Sequence, residues 1–241
     1  MADLSIVYYK TQEFHEVYRL TQPAPNNEKV VLLHGIARTY RSMGSLARFL
    51  RSQGYEVLNV GYPSTRLPLE DLIDHINEEV TGFNADPGIK IHFVGYSLGG
   101  LMARGVIGRH RPSNLGRVVQ LAPPNQGSEV ADFWKNIFIF KWIFGPAGQD
   151  LGAEAQSFSR ILGPVDFELG VIAGNRPWDW FSAAMIPGPN DGKVSVESTK
   201  VAGMADHIVI PTSHTFIIYN RRAWRQTLHF LQSGIFDRAS L

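Results

Sequence analysis

The chain has 241 residues, 44% of them hydrophobic, which is enough to bury one large core, and α/β proteins of this size are commonly built as one domain. Twenty-three Lys and Arg stand against 22 Asp and Glu, a formal charge of +1, so no strong field favours nucleic acid or an anionic membrane. Cysteine is absent, which excludes disulfides, thiolate metal sites and a cysteine nucleophile together while leaving the redox compartment open.

The first residues, Met1-Ala2-Asp3-Leu4, show neither a basic leader nor a long apolar run. No later stretch is apolar for the roughly 18 residues that a membrane span needs. The expectation is a soluble cytoplasmic protein without a signal peptide or a transmembrane segment.

Ile6-Val7-Tyr8-Tyr9 and Glu16-Val17-Tyr18-Arg19-Leu20 are β-prone pieces suited to edge strands, closed off by a turn at Pro23, Pro25, Asn26 and Asn27. Val30-Val31-Leu32-Leu33 is the first continuous apolar strand, and it ends in His34-Gly35-Ile36-Ala37-Arg38. Ser42 is expected to cap a helix with Leu46, Phe49 and Leu50 on one face, ending at Gly54. Tyr55 to Val60 reads as a second strand. Pro68 opens another helix, with Glu70 and Asp71 in its first turn and Leu69, Leu72, Ile73 and Ile76 as its buried stripe. Asp74 and His75 fall on the solvated surface of that helix, and Asp86-Pro87-Gly88 turns the chain into the third strand.

That third strand carries the chemistry. Ile91, Phe93 and Val94 suit a strand covered on both faces, and Leu98, Leu101, Met102, Gly105 and Val106 then repeat at helical spacing. Between them Ser97 has to take a strained, positive-φ conformation, for which Gly95 and Gly99 leave room. The strain lifts its hydroxyl off the sheet edge to a helix N-terminus, where backbone N–H groups point outward. The other reading of such a serine is an ordinary helix cap.

Gly95-Tyr96-Ser97-Leu98-Gly99 resembles the G-x-S-x-G nucleophile elbow of the α/β-hydrolase family. The resemblance implies a mostly parallel sheet with helices on both faces and ligand sites at the carboxyl ends of the strands. It makes Ser97 the nucleophile and assigns the oxyanion hole to the backbone N–H groups of Ile36, after His34-Gly35, and Leu98. His34 itself is expected to be buried and hydrogen-bonded to backbone.

Val118 to Leu121 is the next strand. Ala122-Pro123-Pro124-Asn125-Gln126-Gly127-Ser128 resembles the Pro-x-x-Gly-Ser turn of bacterial lipases and esterases. The strand and helix rhythm then breaks, and an insertion at about 125–165 resembles a cap, its Phe133, Trp134, Phe138, Phe140, Trp142 and Phe144 either covering the site or packing the cap's own core. Interfacial attachment through these aromatics with Lys135 and Lys141 is a weaker alternative.

Glu168 to Ala173 reads as a strand. Beyond it, Asn190-Asp191-Gly192 is turn chemistry and also resembles the lipase segment that bears the triad acid, which implies Asp191, with Asp166 and Asp179 as competitors. The last strand, Asp206 to Ile210, holds His207, and the loop after it holds His214; the family order of serine, acid and histidine implies His214 as the base. A final helix places Trp224, Thr227, Leu228 and Leu231 inward and stops at Gly234. Calcium-dependent lipases carry an acidic ligand two residues after the catalytic histidine. Phe216 stands there, so neither a structural calcium nor any cofactor is expected.

The sequence thus points to a serine hydrolase that cleaves a small-molecule ester with an apolar acyl group. An acyltransferase, an amidase or a thioesterase would use the same three residues, and a non-catalytic binding protein on the same fold is the remaining class.

Overall fold

The computed structural model describes residues 27–126, 161–178 and 186–240. The two β-prone segments before Pro23, most of the expected cap and Asp179 lie outside the described residues.

Among the described residues six strands form one sheet, every pair parallel: β1 (Lys29–Leu33), β2 (Glu56–Val60), β3 (Ile91–Tyr96), β4 (Leu115–Leu121), β5 (Leu169–Gly174) and β6 (Asp206–Ile210), side by side in the order β2-β1-β3-β4-β5-β6. The inner strands β1, β3 and β5 are buried at every residue, which is why they read as unbroken apolar runs. Alternate residues serve opposite layers. Val30 and Leu32 join a core under α1 (Gly44–Ser52) and α4 (Arg221–Ser233), with Leu46, Leu50, Phe230 and Leu231. Val31 and Leu33 join a second core under α2 (Leu69–Phe83) and α3 (Leu98–His110), with Ile73, Ile76, Leu101, Met102 and Val106.

Three local expectations are refined. Ser42 is not a helix cap: its hydroxyl donates to the Thr39 carbonyl (2.8 Å) inside a 3₁₀ turn over Tyr40–Met43, and α1 starts only at Gly44. The helix after Ser97 is buried from Leu98 through Ile107 rather than along one stripe, because α2 and Leu162 pack on the side away from the sheet. In α4 the fully buried positions are Ala223, Gln226, Thr227, Phe230 and Leu231, while Trp224 and Leu228 are only partly covered. Asn220 caps α4, accepting from the Arg222 and Ala223 N–H groups, and Gly234 ends it at φ 79°.

The strand order has one reversal. The chain steps outward from β1 to β2, then crosses back past β1 to β3, leaving a crevice at the carboxyl ends of β1 and β3. Open parallel sheets bind ligands at such a switch point. Leu33 pairs with Gly95 in register, so the His34-Gly35-Ile36 turn and Ser97 leave the sheet side by side.

Candidate active site

Ser97 is the residue between β3 and α3, at φ 52° and ψ −119°. Such a conformation costs a non-glycine residue about 1–3 kcal/mol and persists only when its surroundings over-determine it. Here they do. The Ser97 N–H donates to Leu121 O (2.8 Å), and its carbonyl accepts from the Gly100 N–H (2.9 Å). The two elbow glycines permit close backbone approach: a Cβ on Gly95 would lie 2.3 Å from Gly99 O, and one on Gly99 would lie 2.2 Å from Leu33 O. The helix is thereby seated directly on the ends of β1 and β3.

Asp191 sits in a turn closed by a bridge between Asn190 and Ser195. Its backbone N–H donates to Val194 O (3.1 Å), and its Oδ1 accepts from the N–H groups of Lys193 (2.9 Å) and Val194 (2.8 Å). The carboxylate is 2% exposed, and its negative charge is held by these fixed donors. Oδ2 is left for a third partner.

His214 supplies it. The residue follows β6, and its backbone N–H donates to Asp191 O (2.9 Å), so the two loops are joined before the side chains meet. The ring Nδ1 lies 2.7 Å from Asp191 Oδ2, and Nε2 lies 3.1 Å from Ser97 Oγ. A carboxylate can only accept, so Nδ1 carries the proton and Nε2 is the acceptor that faces the serine hydroxyl. The Tyr96 ring packs against the imidazole, centroids 5.3 Å apart. Ser97, Asp191 and His214, separated by up to 117 positions, therefore form one buried hydrogen-bonded line.

The β1 turn lies against this line, since a Cβ on Gly35 would meet Ser97 Cβ at 3.4 Å. Ile36 is in that turn, and Leu98 is the first residue of α3, where an N–H has no intrahelical acceptor. Ala37, at φ 52°, ties the turn down by donating to Ser64 Oγ (3.2 Å). Beneath it His34 is fully buried and stacked on Tyr62, ring centroids 4.1 Å apart, with the Tyr62 hydroxyl donating to the His34 carbonyl. Its Nδ1 lies 2.8 Å from Gly35 O, and burial lowers its affinity for a proton. It is a backbone-bonded core histidine, not a member of the line.

Two of the competitors, His207 and Asp166, are elsewhere. His207 bonds to Thr199 Oγ1 (2.9 Å) from within β6, and Asp166 pairs with Arg111 (2.8 Å) on the surface. Two supports escaped the sequence reading. Gly174 ends β5 where a Cβ would lie 2.5 Å from Thr212 O and 2.9 Å from Asp191 Cβ, so a bare glycine is what lets the acid turn approach. A buried polar chain also runs from Arg104 to Asn125 Oδ1 (3.0 Å), from Asn125 to Gln120 Oε1 (2.7 Å) and Thr199 O (2.8 Å), and from Gln120 to Gly100 O (2.7 Å). Burial pushes the Arg104 guanidinium down to about 10. Gln120 in an apolar strand and Arg104 on an apolar helix were the visible signs.

Among the described residues no group of three or more His, Cys, Asp or Glu gathers as a metal site, and no helix is long and apolar enough to cross a membrane.

A six-stranded parallel sheet with one order reversal and a strained serine between β3 and α3 defines an α/β-hydrolase. The chain belongs to the palmitoyl protein thioesterase family, which it matches over residues 29–159, a span that includes Ile36, Ser97 and Leu98 and stops before Asp191 and His214. No curated protein sequence matches it. Similar solved structures include the mature lipase BlEst2 of Bacillus licheniformis, at 18% identity and TM-score 0.64, covering 88% of this chain and 94% of that one. Phospholipase PlaB from Legionella pneumophila gives 16% identity and TM-score 0.61, covering 89% and 61%. Tomato methylketone synthase I, complexed with 2-tridecanone, gives 12% and 0.60, covering 86% and 98%. At these identities the likeness is one of fold, and together with the family it makes the chain a hydrolase of the α/β-hydrolase type.

Proposed function

We propose that the chain is a serine hydrolase that cleaves carboxylic esters with an apolar acyl group through an acyl-enzyme on Ser97. The observation that carries this reading is the Ser97–His214–Asp191 hydrogen-bond line, 3.1 Å and 2.7 Å. His214 Nε2 takes the Ser97 proton as Oγ attacks the acyl carbon, then gives it to the leaving oxygen as the carbon–oxygen bond breaks. Asp191 keeps Nδ1 protonated and stabilises the imidazolium between those steps. The N–H groups of Ile36 and Leu98 receive the charge on the carbonyl oxygen, a role in which one donor is worth about 3–4 kcal/mol of barrier. Water activated by the same base then releases the acid.

A thioester substrate is the second reading, favoured by the family match over residues 29–159. It changes only the leaving atom. Matched oxyesters and thioesters of one acyl chain, compared by kcat/KM, decide between them.

The test of the nucleophile is Ser97→Ala against wild type with a fluorophosphonate probe and p-nitrophenyl esters of rising chain length. Labelling should vanish and kcat fall by on the order of 10⁶-fold. Labelling that persists in the alanine variant overturns the assignment.

A further inference from the structure

Beyond the hydrogen-bonded line, His214 borders a cavity of about 270 Å³ whose lining also includes Trp178, Lys193, Ser213 and Phe216, while Ser97, Ile36 and Leu98 do not reach it. We infer that this cavity is the leaving-group subsite and that it selects alcohols or thiols carrying an anionic group. The inference rests on the proposed acyl-enzyme reaction. In that reaction the proton returns to the leaving atom from the imidazole, so the departing group extends past His214, away from the turn that holds the oxyanion.

Four features set its chemistry. Trp178 and Phe216, with rings 5.2 Å apart, are 77% and 45% exposed, an apolar wall where exposed large hydrophobic groups are otherwise few among the described residues. Lys193 is exposed, and its ammonium meets no carboxylate among the described residues. Its backbone N–H is bonded to Asp191 Oδ1 (2.9 Å), so the acid turn itself fixes where the lysine projects from. Ser213 holds a buried hydroxyl with no hydrogen-bond partner among the described residues, an orphaned donor beside the cavity.

The fourth feature is negative: the one carboxylate in the lining, Asp191, is 2% exposed and engaged at both oxygens by the Lys193 and Val194 N–H groups and His214, so it has no free oxygen to pair with Lys193 or to contact an incoming group. An apolar body with a negative charge at its far end matches rings, ammonium and hydroxyl together.

The experiment compares butanoyl esters of 4-hydroxybenzenesulfonate and 4-(methylsulfonyl)phenol, which differ in one charge. The ratio of their kcat/KM values is measured for wild type, Lys193→Arg and Lys193→Glu. Because the intrinsic reactivity of each ester cancels between enzymes, the change in ratio reports only the protein. The anionic ester should lose about fivefold or more relative to the neutral one in Lys193→Glu, and the arginine variant should keep the wild-type ratio. Raising salt from about 0.02 M to about 0.5 M should shrink the wild-type preference. Running the same pair as aryl thioesters shows whether an alcohol or a thiol leaves faster. A ratio that is unchanged in Lys193→Glu, with both esters still cleaved by wild type and by neither in Ser97→Ala, overturns the subsite and leaves the acyl-enzyme standing. Cleavage of both esters by Ser97→Ala overturns the acyl-enzyme itself.

Discussion

Replacing Asp191 by asparagine reverses the direction of one hydrogen bond without removing any atom from the site. Oδ1 of the aspartate accepts from two fixed N–H groups, those of Lys193 and Val194, at 2.9 and 2.8 Å. An asparagine must keep its carbonyl oxygen there, because turning the amide would set N–H against N–H. Its NH₂ group then faces His214 Nδ1, which at 2.7 Å becomes an acceptor, and the ring proton moves to Nε2. A histidine with its proton toward Ser97 cannot take another from it.

Two losses follow. A hydrogen bond to a charged group is worth about 1.5–3 kcal/mol. The attraction between the carboxylate and the imidazolium formed during attack, at about 4 Å and an effective dielectric constant of about 20, is worth about 4 kcal/mol. Together they raise the barrier by about 6 kcal/mol, a loss on the order of 10⁴-fold in kcat. The assay is p-nitrophenyl butyrate hydrolysis, with urea unfolding of the same samples. Asp191→Asn should unfold near the wild-type midpoint because both backbone contacts survive, whereas Asp191→Ala leaves two N–H groups unpaired and should lose about 1–3 kcal/mol of stability for each. A variant Asp191→Asn that keeps its midpoint and stays within tenfold of wild-type kcat would refute the reasoning.

Gly174→Ala places a methyl group 2.5 Å from Thr212 O and 2.9 Å from Asp191 Cβ, so the acid turn must retreat. Overpacking of this kind costs about 1–3 kcal/mol. Displacement of the acid should lower kcat/KM by about 10²-fold, the usual effect of a shift of about 1 Å, measured on the same ester. Stability should also fall on acidification. Burial lowers the proton affinity of His34, His92 and His207 below the ordinary 6.5, against the partial opposition of backbone bonds at His34 and of Glu28 at His92. The unfolded chain therefore binds protons that the fold refuses, and stability is complete above about pH 6.5 and lost as pH falls through the lowered values. Urea midpoints at pH 7.5, 6.5 and 5.5 check this, and a flat profile across that range contradicts it.

How far the sequence revealed this site depended on how local each signal was. The elbow was readable because its parts are contiguous: an apolar strand, a serine between small residues, and a helical repeat. His214 was separable from His207 because one follows the strand and the other lies within it, and strands present their ends, not their middles, to ligands. Gly174 was invisible for the opposite reason. Its meaning lies in Thr212 and Asp191, which reach it only once β5, β6 and the acid turn are assembled. Ser42 misled because a serine before an apolar repeat satisfies the capping rule, while the chain spends another turn in 3₁₀ geometry before α1 begins. The stripe on α3 was legible but incomplete, since periodicity cannot distinguish a helix with one covered face from one covered on both.

Besides leaving room for Ser97, the elbow glycines have a second task. Ser97 holds its positive φ with hydrogen bonds of its own, to Leu121 and Gly100. Gly95 and Gly99 let α3 descend until its first turn touches the backbone of β3 and the carbonyls of Leu33 and His34. That descent aligns the free N–H groups of the helix with the end of β1. It also brings the serine within van der Waals reach of Gly35, beside Ile36. Hydrogen bonds thus hold Ser97 in its strained conformation, while the glycine contacts set its distance from the turn expected to receive the oxyanion. Enlarging either glycine would move Ser97 away from that turn, which is why small residues are needed on both sides of the serine even though the serine's own strain is met by hydrogen bonds.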